Sequence, residues 1–540
     1  MSTASEKFEI DKEQLVVDAT PVNSIEEGTP VDTTSSWGFF HKLSAKLDSF
    51  GVEQRGIARV LPEERVNNRN LLSQFLSVMG LWASATGGIS NMSSFVLPTT
   101  VFELEFRQAL VCSLVGCYFG AAVSAFCSTL GPQSGCRQMV TARYLFGWWF
   151  VKFIAILGTV IAGIGWSVVN TVLSGEILTA VSGGDVPNWI GIILVSVVSI
   201  VISVFGIKVL YKVEKYYSVV IFITLILFYI CMSNRYDVIY DFSNSDVPHN
   251  IMTGNWLSMF SITWSGSATW GAITSDYYIM FPETTPKWQI FSVTFFGIII
   301  PTTFVAVAGN LLSAICVSDP EYITAYKDGG VGGAIVQAFG RWNGFGKFLV
   351  VLLWLSLIAS TILNTYSGTF AFQLAGKGFT RVPRWVWAIV FTVVYFVCAI
   401  AGRDHFSTIL SNFLPMIGYW IAMYFIMLLE EDLGFRKFAH HLYTKEFPNE
   451  EFSESEPHKF KYNWDQWNNI NVLTHGIAAT TSFICGIAGA VLGMAQVYYV
   501  GPAAAHFGPA GGDLGMWLTM GISGVLYPPL RYWELKKFGR

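Results

Sequence analysis

Twelve stretches of mostly apolar residues, of the length that a helix needs to cross a bilayer, divide this chain. A transmembrane helix takes about 20 such residues. Of the 540 residues, 52% are hydrophobic and only 13% are charged, whereas a soluble domain carries about 25% charged residues. The sequence therefore predicts an all-α polytopic membrane protein with about twelve transmembrane helices. The stretches are 71–97, 106–130, 144–180, 189–207, 216–232, 255–281, 288–317, 345–374, 385–401, 409–429, 472–500 and 515–529.

The remaining segments are predicted to lie outside the membrane. Residues 1–70 mix Ser, Thr, Asp and Glu with scattered lysines and contain no apolar core, which is typical of a disordered tail. We expect a twelve-helix domain over residues 71–532, interrupted by an acidic and aromatic connector at 430–471. A short C-terminal tail is expected at 533–540.

A short polar phrase occurs twice within the apolar stretches, as SATGG at 84–88 and as SATWG at 267–271. Ser, Thr and Gly weaken a helix, and lipid cannot satisfy the backbone groups that a break frees, so broken membrane helices surround buried cavities. The phrases fall in helices 1 and 6. Because five crossings separate them, the two halves have opposite orientations, as in inverted-repeat transporters. We predict a five-plus-five inverted repeat over about 71–232 and 255–429, two extra helices at 472–529, and break residues Thr86, Gly87, Gly88, Thr269 and Gly271.

Lysine and arginine are unevenly divided between the loops on the two sides of the predicted bundle. If the N-terminus is inside, the inside loops carry more of them, and the outside loops are rich in Asp and Glu. Because basic loops stay in the cytoplasm, both termini and the connector are predicted to be cytoplasmic. The inside residues are Arg137, Arg143, Lys208, Lys212, Lys215, Lys287, Lys377, Arg381, Arg384, Arg531, Lys536, Lys537 and Arg540.

Polar and aromatic side chains near the breaks predict a binding pocket. Trp166 and Asn170 are four residues apart and share one face of helix 3, while helix 8 offers Asn364. Trp270 lies within the second break, where its flat ring could stack on a planar ligand. These groups suit a small, flat, uncharged heterocycle. The alternatives are that Trp166 and Trp270 anchor the protein at the membrane surface and that the two asparagines bond neighbouring helices.

Two acidic residues lie inside predicted helices, where ionisable groups are candidates for ion coupling. Glu176 follows Asn170 by six residues and so lies on another face of helix 3; it either carries a proton or contacts water at the outer end. Asp276 follows the second break. It either holds the break through backbone hydrogen bonds, the interpretation that we prefer, or transfers a proton.

The sequence indicates no enzyme, cofactor, metal site or nucleic-acid partner. It contains no H-E-x-x-H, P-loop or G-x-S-x-G motif. Its eight cysteines lack C-x-x-C spacing, and its net charge of -4 is not that of a nucleic-acid binder. Without a nucleotide site, transport energy would come from an ion gradient. Partners are then a small-molecule substrate, protons and the lipid bilayer, with ubiquitin ligases as candidates at the tail residues Lys7, Lys12, Lys42 and Lys46.

Residues 131–150, GPQSGCRQMVTARYLFGWWF, resemble the fungal purine-cytosine permease family within the nucleobase-cation-symport-1 transporters. The likeness is greatest to the vitamin B6 (pyridoxine) transporters of that family. It extends from about residue 51 to the end of the chain and also rests on the motifs at 82–88, 165–170, 341–347, 405–410 and 537–540.

The resemblance implies proton symport by alternating access and a substrate site at Ser84, Trp166, Asn170, Trp270 and Asn364. Purine permeases have asparagine where this chain has Thr86, Ser360 and Thr361, and glutamine where it has Glu176. These departures favour import of vitamin B6 at the plasma membrane over a purine or cytosine symporter. A nutrient sensor that binds without transporting remains a further alternative.

Overall fold

The computed structural model describes residues 56–65, 71–204, 207–380, 382–447 and 461–540, except for the side chains at 159, 207–215, 377 and 380. The candidate ubiquitin sites lie outside these residues. The α-helices of six residues or more are α1 (Leu71–Thr86), α2 (Ile89–Ser94), α3 (Phe106–Ser128), α4 (Arg143–Ala155), α5 (Ala162–Ser182), α6 (Asn188–Val204), α7 (Ile207–Met232), α8 (His249–Ala268), α9 (Lys287–Ser318), α10 (Pro320–Ala338), α11 (Asn343–Leu374), α12 (Arg384–Gly402), α13 (Phe406–Leu429), α14 (Ile477–Gly493) and α15 (Gly515–Phe538).

Shorter pieces connect these helices. Two π-helical turns, Ile156–Ile161 and Glu430–Phe435, continue α4 and α13. The strands β1 (Ala495–Gln496) and β2 (Tyr499–Val500) form an antiparallel hairpin between α14 and α15. The remaining short α-helices are Leu97–Thr100, Leu130–Ser134, Gln138–Thr141, Lys377–Thr380 and Arg436–Phe438, and the 3₁₀ turns are Pro62–Glu64, Ser233–Val238, Thr269–Ala272, Thr274–Tyr277, Gly340–Trp342, His440–Leu442, Trp464–Gln466 and Ala504–Phe507.

The molecule is an all-α membrane protein, and a helix lies in each of the twelve predicted stretches. Within the described residues, seven helical segments are long and apolar enough to cross a membrane by length and composition, and α1, α6 and α14 are shorter apolar helices. Large apolar side chains point outward on α6, α7 and α12, including Val197, Ile223 and Val393. An outward apolar surface of this kind is what lipid requires.

The helices pack into one bundle around α5, α8 and α11. α8 and α9 both lie along α3, and α5 packs against α6, α10 and α11. α14 and α15 pair with each other, and α15 also lies against α13. Glu534 of α15 holds the beginning of α14, because its carboxylate accepts hydrogen bonds from Gly476 N at 3.0 Å and Ala478 N at 2.9 Å. An acidic group at a helix N-terminus also offsets the helix dipole.

The structure differs from the sequence-based expectation in three places. Residues 56–65, predicted within a disordered tail, pack on the loop after α3: Val60 is fully buried and its N–H donates to Gly135 O at 2.8 Å. α10 lies between α9 and α11, which are the seventh and eighth predicted transmembrane helices, and no helix was expected there. α15 runs to Phe538 instead of ending near residue 529. The division into repeats at 71–232 and 255–429 stays a prediction.

A buried ionic cluster lies where the connector meets α15. Glu431 accepts hydrogen bonds from Arg436 Nε at 3.1 Å and from Arg531 Nε at 3.0 Å, and the hydroxyls of Tyr443 and Tyr527 also donate to it, each at 2.8 Å. All of these side chains are buried. The predicted connector is therefore anchored to the bundle at this end. We call the end of the bundle with residues 56–65 and the connector the lower end, and the end with α10 the upper end.

Candidate functional site

The first break separates α1 from α2 at Gly87 and Gly88. The freed N–H of Ile89 donates to Ser356 Oγ of α11 at 3.0 Å. A Cβ at Gly88 would lie only 2.7 Å from the Ser356 side chain, so glycine permits this contact. Thr86 Oγ1 donates to Trp82 O at 2.8 Å. The Ile89 N–H and the Thr86 hydroxyl at the break thus find partners within the protein, as polar groups within a membrane require.

The second break begins where α8 ends at Ala268 and two 3₁₀ turns follow. Ser124 of α3 donates to Ser267 O at 2.7 Å, which caps the end of α8. Farther along, Ser275 Oγ donates to Cys127 O at 3.1 Å. In both contacts the partner on the other side is a residue of α3, so this helix satisfies polar groups on both sides of the second break. The predicted breaks in helices 1 and 6 are therefore present.

Two neighbouring cavities lie between the breaks. The upper cavity is lined by Ala85, Ser90, Asn91, Trp166, Asn170, Gly266, Trp270, Ser360 and Asn364. The central cavity is lined by Gly158, Ala162, Gly163, Trp166, Thr269, Trp270, Ala272, Ile273, Asn364 and Ser367.

The walls that the two cavities share are the predicted residues Trp166, Trp270 and Asn364. Neither cavity has a charged side chain among the lining residues named above, which suits an uncharged ligand. The central cavity has room for about two water molecules. An aromatic ring therefore enters only if the walls move apart.

The orientation of Trp270 is set by a third indole. Trp82 is fully buried and meets Trp270 edge-on, with ring centroids 5.6 Å apart at 86°. Trp82 Nε1 donates to the Tyr278 hydroxyl at 3.0 Å, which fixes Trp82 in turn. In an edge-to-face pair, Trp82 covers at most one face of the Trp270 ring. Trp82 is thus a positioning residue that links the two broken helices.

The two predicted asparagines are placed differently. Asn364 lines both cavities, and its side chain makes no hydrogen bond to any residue that the structure describes. Asn170 is fully buried; its Oδ1 accepts from Ser90, and its Nδ2 donates to Thr361 Oγ1 at 3.2 Å. Asn364 faces the space of both cavities, whereas Asn170 ties α2 to α11 at the cavity edge. The binding role of both asparagines stays a prediction.

Ser84 is fully buried, and it lines neither cavity. Its hydroxyl has no hydrogen-bond partner among the described residues. Its role in binding stays a prediction.

Asp276 connects the second break to the loop after α3. Its Oδ1 accepts from Gln138 N at 2.9 Å, and Oδ2 lies 3.8 Å from Arg137 Nη1. Gln138 completes the connection, since its Oε1 accepts from Ser275 N at 3.2 Å. These contacts favour the structural interpretation of Asp276 over proton transfer, and its role stays a prediction.

Glu176 lies away from both cavities, near the upper end of α5. Its Oε2 accepts from Gly332 N of α10 at 3.3 Å. α10 bends at Gly330, whose φ of +60° places it beside this carboxylate. Glu176 faces a wide crevice that also contains Lys327, Asp328 and Arg403.

Sequence reasoning missed several cavity residues because they carry little chemistry of their own. A Cβ added at Gly266 would have no neighbour within 4 Å, so this glycine faces the open space of the upper cavity. Gly158 lies in the π-helical turn Ile156–Ile161, and such turns are frequent at functional sites. Asn91 also lines the upper cavity, and its position three residues after Gly88 was a signal in the sequence that could have identified it. No group of three His, Cys, Asp or Glu side chains that could hold a metal occurs in the described residues.

Two broken helices that meet at an uncharged cavity inside an apolar bundle define a membrane transporter of the broken-helix class. Comparison with known proteins gives its family. Residues 72–508 match the family model described as permease for cytosine/purines, uracil, thiamine, allantoin. The chain belongs to this family.

Two curated relatives cover nearly the whole chain. The vitamin B6 transporter TPN1 of Saccharomyces cerevisiae is 51% identical over 525 residues, covering 92% of this chain and 90% of TPN1. The purine-cytosine permease fcyB of Emericella nidulans is 32% identical and covers 99% of each chain. Like its relatives, the chain is a membrane-spanning transporter of a small molecule and not an enzyme.

Solved structures show the same fold. Mhp1, a nucleobase-cation-symport-1 family transporter in a closed conformation, matches with a TM-score of 0.58 at 14% identity, covering 90% of this chain and 96% of Mhp1. A Na⁺-coupled sialic acid symporter matches with a TM-score of 0.55 at 12% identity, covering 92% and 97% of the two chains.

Proposed function

We propose that this protein imports vitamin B6, as pyridoxine and related vitamers, by proton symport with alternating access. The observation that carries the substrate assignment is the 51% identity to a vitamin B6 transporter over 92% of the chain. Pyridoxine is a flat pyridine ring bearing hydroxyl groups. Trp166 and Trp270 offer it aromatic faces, and the Asn364 amide offers both a donor and an acceptor.

Uptake measurements test this proposal. Cells that lack their own pyridoxine uptake and express this protein should accumulate labelled pyridoxine above its outside concentration. A protonophore should abolish the accumulation, since the driving force is worth about 2.3 kcal/mol per charge per 100 mV. Accumulation that persisted with the protonophore would contradict proton symport. Binding without accumulation would instead support a nutrient sensor.

A purine or cytosine symporter is the second candidate, because the chain is also 32% identical to a purine-cytosine permease over its full length. Competition separates the two. Excess unlabelled pyridoxine should abolish labelled uptake, whereas excess adenine or cytosine should leave it nearly unchanged. Equal inhibition by the nucleobases would overturn the vitamin assignment.

Glu176 is the proposed proton carrier. Its carboxylate faces the upper crevice and contacts α10, so its protonation could loosen α10 from α5. Glu176→Gln removes the titrating group, and concentrative uptake should fall while pyridoxine exchange across the membrane continues. Asp185→Asn, at an exposed acid just beyond the same helix, is the matched control and should keep accumulation. An unchanged pH dependence of uptake in Glu176→Gln would exclude Glu176.

The remaining assignments follow from the proposed import. The protein would act in the plasma membrane with both termini in the cytoplasm, which makes the lower end of the bundle the cytoplasmic end. Selective labelling of tags on intact cells tests this orientation. Regulation by ubiquitin ligases at the N-terminal lysines is part of the same proposal, and their replacement by arginine should slow endocytosis.

A further inference from the structure

One face of α11 continues beyond the proposed substrate site. Ser360, Asn364, Ser367, Ala371 and Leu374 are spaced by four, three, four and three residues, so they form a single stripe along the helix. Each lines a cavity. At 1.5 Å per residue, the stripe extends for about 21 Å. It is therefore long enough to connect the substrate site with the lower end.

The lower part of this stripe lines a third cavity, the lower cavity. Its walls are Ile57, Arg137, Met139, Val140, Ala272, Asp276, Ser367, Phe370, Ala371 and Leu374. It shares Ala272 and Ser367 with the central cavity. The upper, central and lower cavities thus follow one another along α11, and Ala272 and Ser367 form the constriction between the last two.

Arg137 joins three parts of the chain in the wall of the lower cavity. Its guanidinium lies 3.8 Å from Asp276 of the second break and 3.3 Å from the ring centroid of Phe370 on α11. Its Nε donates to Gly56 O at 3.3 Å, in the segment before α1. Arg137 and Asp276 are both buried. A buried charged pair is costly to break by removing one partner, so it can keep these parts together.

We propose that substrate leaves the central cavity along this face of α11 and that the Arg137–Asp276 pair is the gate at its lower end. This inference rests on the proposed function, since it describes the release step of transport. Passage requires the Ala272–Ser367 constriction to widen. The gate opens when Arg137 and Asp276 separate, which also frees residues 56 and 57 from the wall.

The route is tested by adding bulk at Ala371, which lines the lower cavity but not the central one. Ala371→Leu should retain pyridoxine binding to the purified protein while uptake into reconstituted vesicles is lost, because the ligand reaches its site but does not pass. Gly521→Leu adds the same side chain at an exposed position of α15 with no neighbour within 4 Å and should transport normally. Wild-type uptake rates in Ala371→Leu would overturn the route. Loss of binding together with uptake would also overturn it, by making Ala371 part of the site.

The gate is tested by a measurement that requires no transport. Ala371→Cys places a thiol in the lower cavity. Its reaction with a membrane-impermeant thiol reagent is measured in vesicles whose outer face carries the lower end of the protein. The labelling of the native cysteines, measured without Ala371→Cys, is subtracted as background. Adding Asp276→Asn keeps the acceptor for Gln138 N but removes the charge facing Arg137. Labelling should become faster, whereas adding Asp185→Asn should leave its rate unchanged.

Equal labelling rates with and without Asp276→Asn would overturn the gate. The two proposals fail separately: a wild-type protein that did not transport pyridoxine would contradict the proposed function, while the labelling comparison would still decide on the gate.

Discussion

At the scale of single residues, the two asparagines of the candidate site make different contacts although both lie in the same polar patch. Asn364 faces the cavities, and Asn170 bridges Ser90 and Thr361. Spacing along the helices could place both near the cavity, but only the three-dimensional contacts distinguish an amide that faces the cavity from one that joins helices.

Alanine substitutions should separate these tasks. Asn364→Ala should weaken pyridoxine binding by about 0.5–1.5 kcal/mol, the net value of one hydrogen bond, with little change in thermal stability. Asn170→Ala should lose uptake while still reaching the cell surface, and should also lower stability by about 1–3 kcal/mol, because Ser90 and Thr361 lose buried partners. Binding isotherms and thermal unfolding in detergent provide the measurements. Equal effects of the two variants on both quantities would contradict the distinction.

Gly266 should control the size of the ligand that the upper cavity accepts. Its missing side chain leaves space there, so Gly266→Val should weaken binding of pyridoxine without disturbing the packing of α8. Competition with a series of ring-substituted pyridines measures this, and the bulkiest should lose the most affinity. Gly521→Val, facing open space on α15, is the control. An unchanged ranking of the pyridines would show that Gly266 does not limit the cavity.

At the scale of elements, a polar cluster connects α8, α13 and α15 near the β-hairpin. Asp513, just before α15, accepts from Tyr419 of α13 and from Gly515 N at 3.0 Å, and its own N–H donates to Ser258 Oγ of α8 at 3.1 Å. Gln496 of β1 also donates to the Tyr419 hydroxyl, at 3.2 Å. Burial raises the pKa of Asp513 from its ordinary 3.8 to about 6, although these hydrogen bonds act in the opposite direction.

This raised pKa predicts a pH dependence of stability. Protonation of Asp513 is easier in the folded protein than in the unfolded chain, so its destabilising contribution is fully present above pH 6. This contribution lowers the free energy of unfolding by on the order of 3 kcal/mol. It disappears as the pH falls toward 4, because Asp513 is then protonated in the folded protein. Between pH 7 and 5, the thermal midpoint of the wild type should therefore rise relative to that of Asp513→Asn. Parallel midpoints in the two proteins would refute the effect.

The sequence predicts the elements whose cause is local and misses those whose cause is tertiary. Apolar runs and the repeated SAT phrase correctly place the helices and both breaks. α10 escaped because its segment contains four glycines and several polar residues; it is held instead by Asp319, which accepts from Glu321 N at 2.9 Å, and by Glu176. The segment 56–65 escaped because its order comes from contacts with residues 132–135, remote in sequence.

At the scale of the whole molecule, the buried ionic cluster should set the stability of the lower end. Glu431 pairs with both Arg436 and Arg531, and Glu431→Gln removes this shared negative charge. The substitution should lower the free energy of unfolding by about 3–5 kcal/mol. Glu430→Gln is the matched control, because this neighbouring acid forms no ion pair among the described residues, and its loss should be nearly neutral. Thermal unfolding and surface expression measure both. A Glu431→Gln protein as stable as Glu430→Gln would contradict this role.

The separation of Ser356, which caps the first break, from Ser360 and Asn364, which face the cavities, has an evolutionary consequence. All three lie on α11, yet the first bonds the backbone of the first break and the other two line the upper cavity. A lineage could therefore exchange side chains at the cavity positions and acquire a new nutrient while the broken-helix framework is inherited intact. Because the two kinds of position are separate along one helix, related permeases could change substrate while every intermediate sequence still folds.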